Sequence, residues 1–224
     1  MTDGPAPPRY RCARAAQPFE IDGDLTKPAW AGAAEVALVR AVDGGPPRQA
    51  TTLRLLWDDQ HLYAAFRVAD DDIRATHTRR DAPLWEEEVV ELFLDPWRAR
   101  HLYVEIEVSP ANVVFDALIV NRARDGELAR DLDALRAWHC RGLRTAARVD
   151  GVLNGGPVSR GWDVEIAIPM RQLAPQPPPA LGGEWRFNAY RVDRSSRGDE
   201  LQAFSPTGRP DFHVPERFGL LEFT

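Results

Sequence analysis

From Leu102 to Val108 the chain alternates without a break: Leu102, Val104, Ile106 and Val108 fall on one face of an extended segment, Tyr103, Glu105 and Glu107 on the other. A half-polar strand of this kind belongs to an antiparallel sheet with one face packed on a core. Similar signals recur along the chain. Thr51 to Trp57 reads as a strand, Asp58-Asp59-Gln60 as a turn, and His61 to Val68 as the returning arm of a hairpin. Val89 to Leu94, Val113 to Val120, Leu143 to Val149, Trp162 to Ile168, Trp185 to Val192 and Phe218 to Phe223 read as further strands, and Phe19 to Asp24 as a short one entering an Asp-Gly turn. Residues 121–138, with Leu128, Leu132 and Leu135 at helical spacing, fit a short helix or a long loop, and Gln176-Pro177-Pro178-Pro179 is a surface connector. Many short strands with at most one short helix predict an all-β fold, an antiparallel β-sandwich.

The 224 residues suffice to bury a sizeable core without disulfide staples. A formal net charge of −6 argues against nucleic acid or an anionic membrane as the main partner, and no window approaches the length of a membrane span. No basic region followed by an apolar stretch opens the chain, so a cytoplasmic protein is expected, or a secreted one whose leader is missing from the sequence. Cys12 and Cys140 are expected to be unpaired thiols rather than a bridge. Nothing in the sequence chooses between a monomer and a homodimer.

The segment Ala82 to Asp95 carries the functional signal. Trp85 stands in a turn, where its flat face is able to stack on an apolar ring face, and Glu91 interrupts the apolar strand that follows, between Val89 and Phe93 on the same strand face. Burying even a neutral polar group without a partner costs about 2–7 kcal/mol, so Glu91 needs one. A sugar hydroxyl and Arg191 compete for that part, and a shared role is favoured. The run Glu86-Glu87-Glu88 is expected to be a solvated loop. Glu107 is expected to face solvent, whereas Glu105 stands between solvent and a polar binding wall. Trp30, Trp57, Trp162 and Trp185 are expected in the core.

These pieces occur in an order that resembles the family 9 carbohydrate-binding modules. The matching elements are Ile21-Asp22-Gly23 then Trp30, Leu56-Trp57-Asp58-Asp59 then Leu62-Tyr63, Trp85 through Asp95, Gly161 to Pro169, and Phe212 to Gly219. The resemblance implies an immunoglobulin-like, jelly-roll-type sandwich over residues 19–224, preceded by a flexible Pro-rich segment over 1–18. It also implies a non-catalytic module that holds sugars between two aromatic rings, in some members with structural calcium. Carried over by position, Trp85 is one ring and Phe212 the other, with Glu91, Glu105, Tyr190 and His213 as polar contacts to a carbohydrate or other small polyhydroxylated ligand.

Two other classes compete. A glycoside-acting enzyme would pair Glu91 with Glu105, or Glu88 with Glu107. A haem-binding redox domain would use Met170 with one of His61, His77, His101, His139 or His213, but no spacing singles out a partner.

Overall fold

The computed structural model describes residues 6–123, 132–173 and 181–224. In chain order its strands are β1 (Arg9–Arg14), β2 (Glu35–Ala37), β3 (Val39–Arg40), β4 (Thr51–Trp57), β5 (His61–Ala69), β6 (Val89–Asp95), β7 (Leu102–Val108), β8 (Val114–Asn121), β9 (Leu132–Leu135), β10 (Arg144–Asp150), β11 (Gly161–Pro169), β12 (Glu184–Ser195), β13 (Gly198–Ala203) and β14 (Gly219–Phe223). A single turn of α-helix, α1 (Met170–Leu173), and three short 3-10 turns complete the regular structure of these residues. None of the helices among the described residues is long and apolar enough to cross a membrane.

The strands run β10-β11-β5-β4-β1-β14-β12-β6-β7-β8-β9, with β2 beside β4 and β13 bridging β12 to β3. β1 joins the two halves of this order. Its first residues pair in parallel with β14, Arg9 opposite Leu220 through Cys12 opposite Phe223, and its last two pair with β4. The remaining pairings are antiparallel. The main core lies between the halves: Leu53, Leu55, Leu62, Phe66, Val164 and Ile166 from one meet Leu92, Leu94, Val104, Ile106, Phe187 and Ala189 from the other. The result is the expected all-β sandwich.

The half containing β12, β6, β7 and β8 is covered on both faces. Its outer face holds a second apolar cluster that includes Val89, Phe93, Tyr103, Phe115, Tyr190 and Phe212. Every residue of β6 is therefore buried. Glu105 and Glu107 are buried as well, at 5% and 1% exposure, which overturns the expectation that Glu107 faces water. Alternation reports which residues share a face; it does not report whether something covers that face.

Several local expectations are corrected. The N-terminal segment 1–18 is not flexible throughout, because β1 alternates Tyr10 and Cys12 inward against Arg9 and Arg11. The Tyr10 hydroxyl accepts the Leu55 N–H at 2.7 Å and donates to the Ala34 carbonyl at 2.5 Å, which ties the strand down. Within 121–138, Leu132–Leu135 is a strand paired with β8 rather than helix, while Leu128 lies outside the described residues, as does the Gln176 to Pro179 connector. Phe19 to Asp24 is an irregular segment, not a strand. It is fixed by the buried Glu165, whose Oε2 accepts the backbone N–H groups of Asp22 at 2.9 Å and Gly23 at 2.8 Å. Gly23 adopts φ +80°, a conformation that glycine enters freely. Trp30, Trp57, Trp162 and Trp185 are buried as expected, and Cys12 and Cys140 are buried and free.

Candidate functional site

The outer face of β6, β7 and β8 opens into a cavity of about 330 Å³, at the small end of the roughly 300–1,000 Å³ typical of small-molecule sites. Trp85, Glu91, Glu105, Phe212 and His213 all line it, together with Glu107, Phe115, Arg136 and Arg194. Register explains the acidic wall. Glu91 stands opposite Glu107 across the β6–β7 ladder, and Glu105 is two residues back on the same face of β7. The three carboxylates offer oxygens within 4.8 Å of one another. Burial, and then the neighbouring acids, hold Glu91 and Glu107 well above the usual carboxylate range, and burial raises Glu105 as well.

Trp85 sits on the short turn Leu84–Glu86. The Arg194 guanidinium donates to its carbonyl oxygen, at 2.9 Å from Nη2, and so fixes the turn to β12. The Trp85 ring meets Phe115 edge to face at 5.4 Å, and the Arg136 guanidinium lies 5.4 Å from the centre of its ring. Phe212, 8% exposed, is backed by Tyr190: the two rings stack with centroids 4.1 Å apart and planes 12° from parallel. His213 is held from below. Asn121 Nδ2 donates to the Tyr103 hydroxyl at 3.3 Å, and that hydroxyl lies 2.8 Å from His213 Nδ1. With the Tyr103 proton aimed at Nδ1, the ring keeps its N–H on Nε2.

Two sequence expectations about partners fail. Tyr190 is fully buried behind Phe212, and its hydroxyl donates to the Phe212 carbonyl oxygen at 2.9 Å; it supports the wall rather than lining it. Arg191 does not hold Glu91. Its register neighbour is Val90, on the opposite face of the sheet, where it pairs with Asp70 at 3.0 Å and Glu88 at 3.4 Å. Glu88 is thereby buried instead of solvated, and Glu87 accepts the Thr76 N–H at 2.6 Å. Met170 is packed in the main core at the start of α1.

Cavity residues missed from sequence include Glu107, Phe115, Arg136, Arg194 and Asp211. Glu107 carries the same strand signal as Glu105, whereas Arg136 follows a strand in a segment whose local spacing fits a short helix or a long loop. Among the described residues two groups bring possible metal donors together, the Glu91–Glu105–Glu107 cluster and Asp81–Asp116–His139. Calcium takes six to eight oxygens, and each residue of these groups brings one donor atom to the shared point. The first is bordered by aromatic rings, and in the second Asp116 already pairs with Arg80 at 2.5 Å and accepts the Cys140 N–H at 2.7 Å.

Fold and site together define a β-sandwich with a small aromatic and acidic cleft on the outer face of one sheet. The chain matches the family model described as "Carbohydrate family 9 binding domain-like" over residues 21–224, and it belongs to that family. A solved protein of Bacteroides uniformis ATCC 8492 superposes with a TM-score of 0.76 at 18% identity, covering 98% of this chain and 100% of that one. A family 9 carbohydrate-binding module from Caldicellulosiruptor kristjanssonii, solved in complex with cellotriose, gives 0.68 at 17% identity over 97% and 94%. An extracellular protein of Arthroderma benhamiae is 23% identical over 193 residues, 82% of this chain and 83% of its own length.

Proposed function

We propose that this protein is a non-catalytic module that binds a carbohydrate, or another small polyhydroxylated ligand, in the cavity walled by Trp85 and Phe212. One observation carries the reading: Trp85, Glu91, Glu105, Phe212 and His213, drawn from separate segments of the chain, line a single cavity. Trp85 offers a face for the apolar side of a pyranose, Phe212 adds a second ring to the lining with Tyr190 behind it, and Glu91 and Glu105 accept hydrogen bonds from hydroxyls. His213 Nε2 supplies a donor. Family membership and the cellotriose complex of a structural neighbour support the ligand class.

Binding is favoured over glycoside hydrolysis by the crowding of the acids. Glu91, Glu105 and Glu107 stand on one face of the neighbouring strands β6 and β7, whereas glycosidases place two carboxyl groups on either side of the bond they break. A single sugar buries little area and exchanges hydrogen bonds with water for similar ones, so the affinity is modest. Isothermal titration with a panel of mono- and disaccharides should give heat that disappears in Trp85→Ala while circular dichroism stays unchanged. A folded wild-type protein that takes up no sugar would contradict the reading.

A further inference from the structure

Resting on the carbohydrate reading, we infer that the preferred ligand of this cavity carries a free primary amine, that is, an amino sugar rather than a neutral one. A neutral sugar needs one or two carboxylates to order its hydroxyls. Here three stand together on the wall, each at least 95% buried by its exposure of 2% (Glu91), 5% (Glu105) or 1% (Glu107). Glu107 Oε2 is buried and receives no N–H or hydroxyl donor from the protein; the polar neighbour of this carboxyl is that of Glu105, which shares a hydrogen bond with it when Glu107 holds a proton, and both residues line the cavity. An orphaned, desolvated carboxylate oxygen in an open cleft is unfavourable unless a donor arrives from the ligand.

The chemistry of that donor follows from the surroundings. An ammonium carries three N–H donors and a charge, which matches three carboxylates on one side. The aromatic rings that line the same cavity, Trp85, Phe115 and Phe212, attract a cation through their ring quadrupoles. This wall already accommodates one: the Arg136 guanidinium lies 5.4 Å from the Trp85 ring centre and 5.5 Å from that of Phe115. Arg194 does not fill the same part, because its guanidinium is taken up by the Trp85 carbonyl and Asp199. Burial drives the three carboxyls toward their protonated forms, aided at Glu91 and Glu107 by the neighbouring acids and opposed by Arg194 at Glu91 and by Arg136 at Glu105 and Glu107; an ammonium ligand draws them back to carboxylates. A metal ion is the poorer occupant, since the aromatic wall cannot complete an oxygen shell.

The test is isothermal titration of the full chain with glucose, glucosamine and N-acetylglucosamine, with the corresponding galactose series, and with calcium chloride alone. In at least one series the free amine should bind about tenfold or more tightly than both its hydroxyl parent and its N-acetyl form, the range of a charge-assisted hydrogen bond. Glu107→Gln should bring that ratio close to one. Arg136→Gln, which removes a competing positive charge, should tighten binding of the amine, and it keeps the inference testable if Glu107→Gln fails to fold. Equal affinity for amine and neutral sugars overturns the inference while leaving the carbohydrate reading intact. Calcium uptake that depends on Glu107, without any amine preference, also overturns it. No heat with any sugar from folded protein removes both.

Discussion

Tyr190 and Phe212 are joined twice: their rings stack at 4.1 Å, and the Tyr190 hydroxyl donates to the Phe212 carbonyl oxygen at 2.9 Å. A residue on a loop is thereby fixed to the central strand β12, giving the cleft a rigid second wall. Tyr190→Phe keeps the stack and removes the hydrogen bond. It should cost about 1 kcal/mol of stability in urea denaturation and weaken sugar binding less than Trp85→Ala does. A loss of binding as large as that of Trp85→Ala would mean that the hydroxyl reaches ligand directly.

Glu165 is the anchor of the opposite sheet. Besides the two backbone N–H groups in the Asp22-Gly23 turn, it accepts the Trp30 indole N–H at 2.6 Å and pairs with Lys27 at 2.7 Å. Glutamine in its place has one acceptor oxygen and turns an amide N–H₂ toward donors. Glu165→Gln should therefore cost about 3 kcal/mol or more, read by urea denaturation, with sugar affinity unchanged because the cavity lies on the other half of the sandwich. A stable variant would show the turn to be held by packing alone.

Arg191 is completely buried beside Asp70 and Glu88 and donates to the Ala69 carbonyl at 3.1 Å. Burial first, moderated by Arg191, leaves Glu88 pushed up to about 9. Removing the guanidinium leaves Asp70, Glu88 and the Ala69 carbonyl without their shared donor in the interior. Arg191→Met should lose about 3–5 kcal/mol, and Arg191→Lys should recover only part of it, since an ammonium cannot reproduce the guanidinium fork. Full recovery by lysine in a denaturant titration would contradict the assigned geometry.

The acidic wall sets a pH dependence with a definite sign. Glu91 and Glu107 are raised well above their ordinary value of 4.5 by folding, so the folded chain keeps protons that the unfolded chain has released. Their contribution is complete below that ordinary value and is lost as pH climbs through the folded one. The groups facing them are Glu105, Arg136, Arg194, Asp211 and His213. The melting temperature without ligand should fall as pH rises above the ordinary carboxyl range, and Glu107→Gln should flatten the fall and raise the melting temperature at the alkaline end. An unchanged slope would show that Glu107 does not hold a proton in the folded state.

The strand pattern, the hairpin β4–β5 and the covered tryptophans were legible because period-two alternation and turn residues are local signals. Trp85 and Glu91 also stand out, each an odd residue in its own segment, and both line the cavity; Glu105 shares its strand signal with Glu107. What was not legible depends on contacts between distant segments. Glu107 looks the same as a solvated strand residue until Phe115 and the loop bearing Phe212 cover the sheet. Arg191 was matched to the wrong carboxylate because the side of the sheet it occupies is fixed by the β6–β12 register, which no local pattern reveals. β1 stands among prolines and is stabilised by parallel partners distant in sequence, Tyr10 opposite Leu221 and Ala13 opposite Leu56.

The central claim, that the cleft between Trp85 and Phe212 is the carbohydrate site, is tested most directly by following the indole N–H resonances of the seven tryptophans during a sugar titration, with Trp85 assigned by Trp85→Phe. The account predicts a saturable shift of the Trp85 signal, with the buried Trp30, Trp57 and Trp162 unmoved. Saturable binding that leaves Trp85 unshifted and moves an exposed ring such as Trp97 would contradict it.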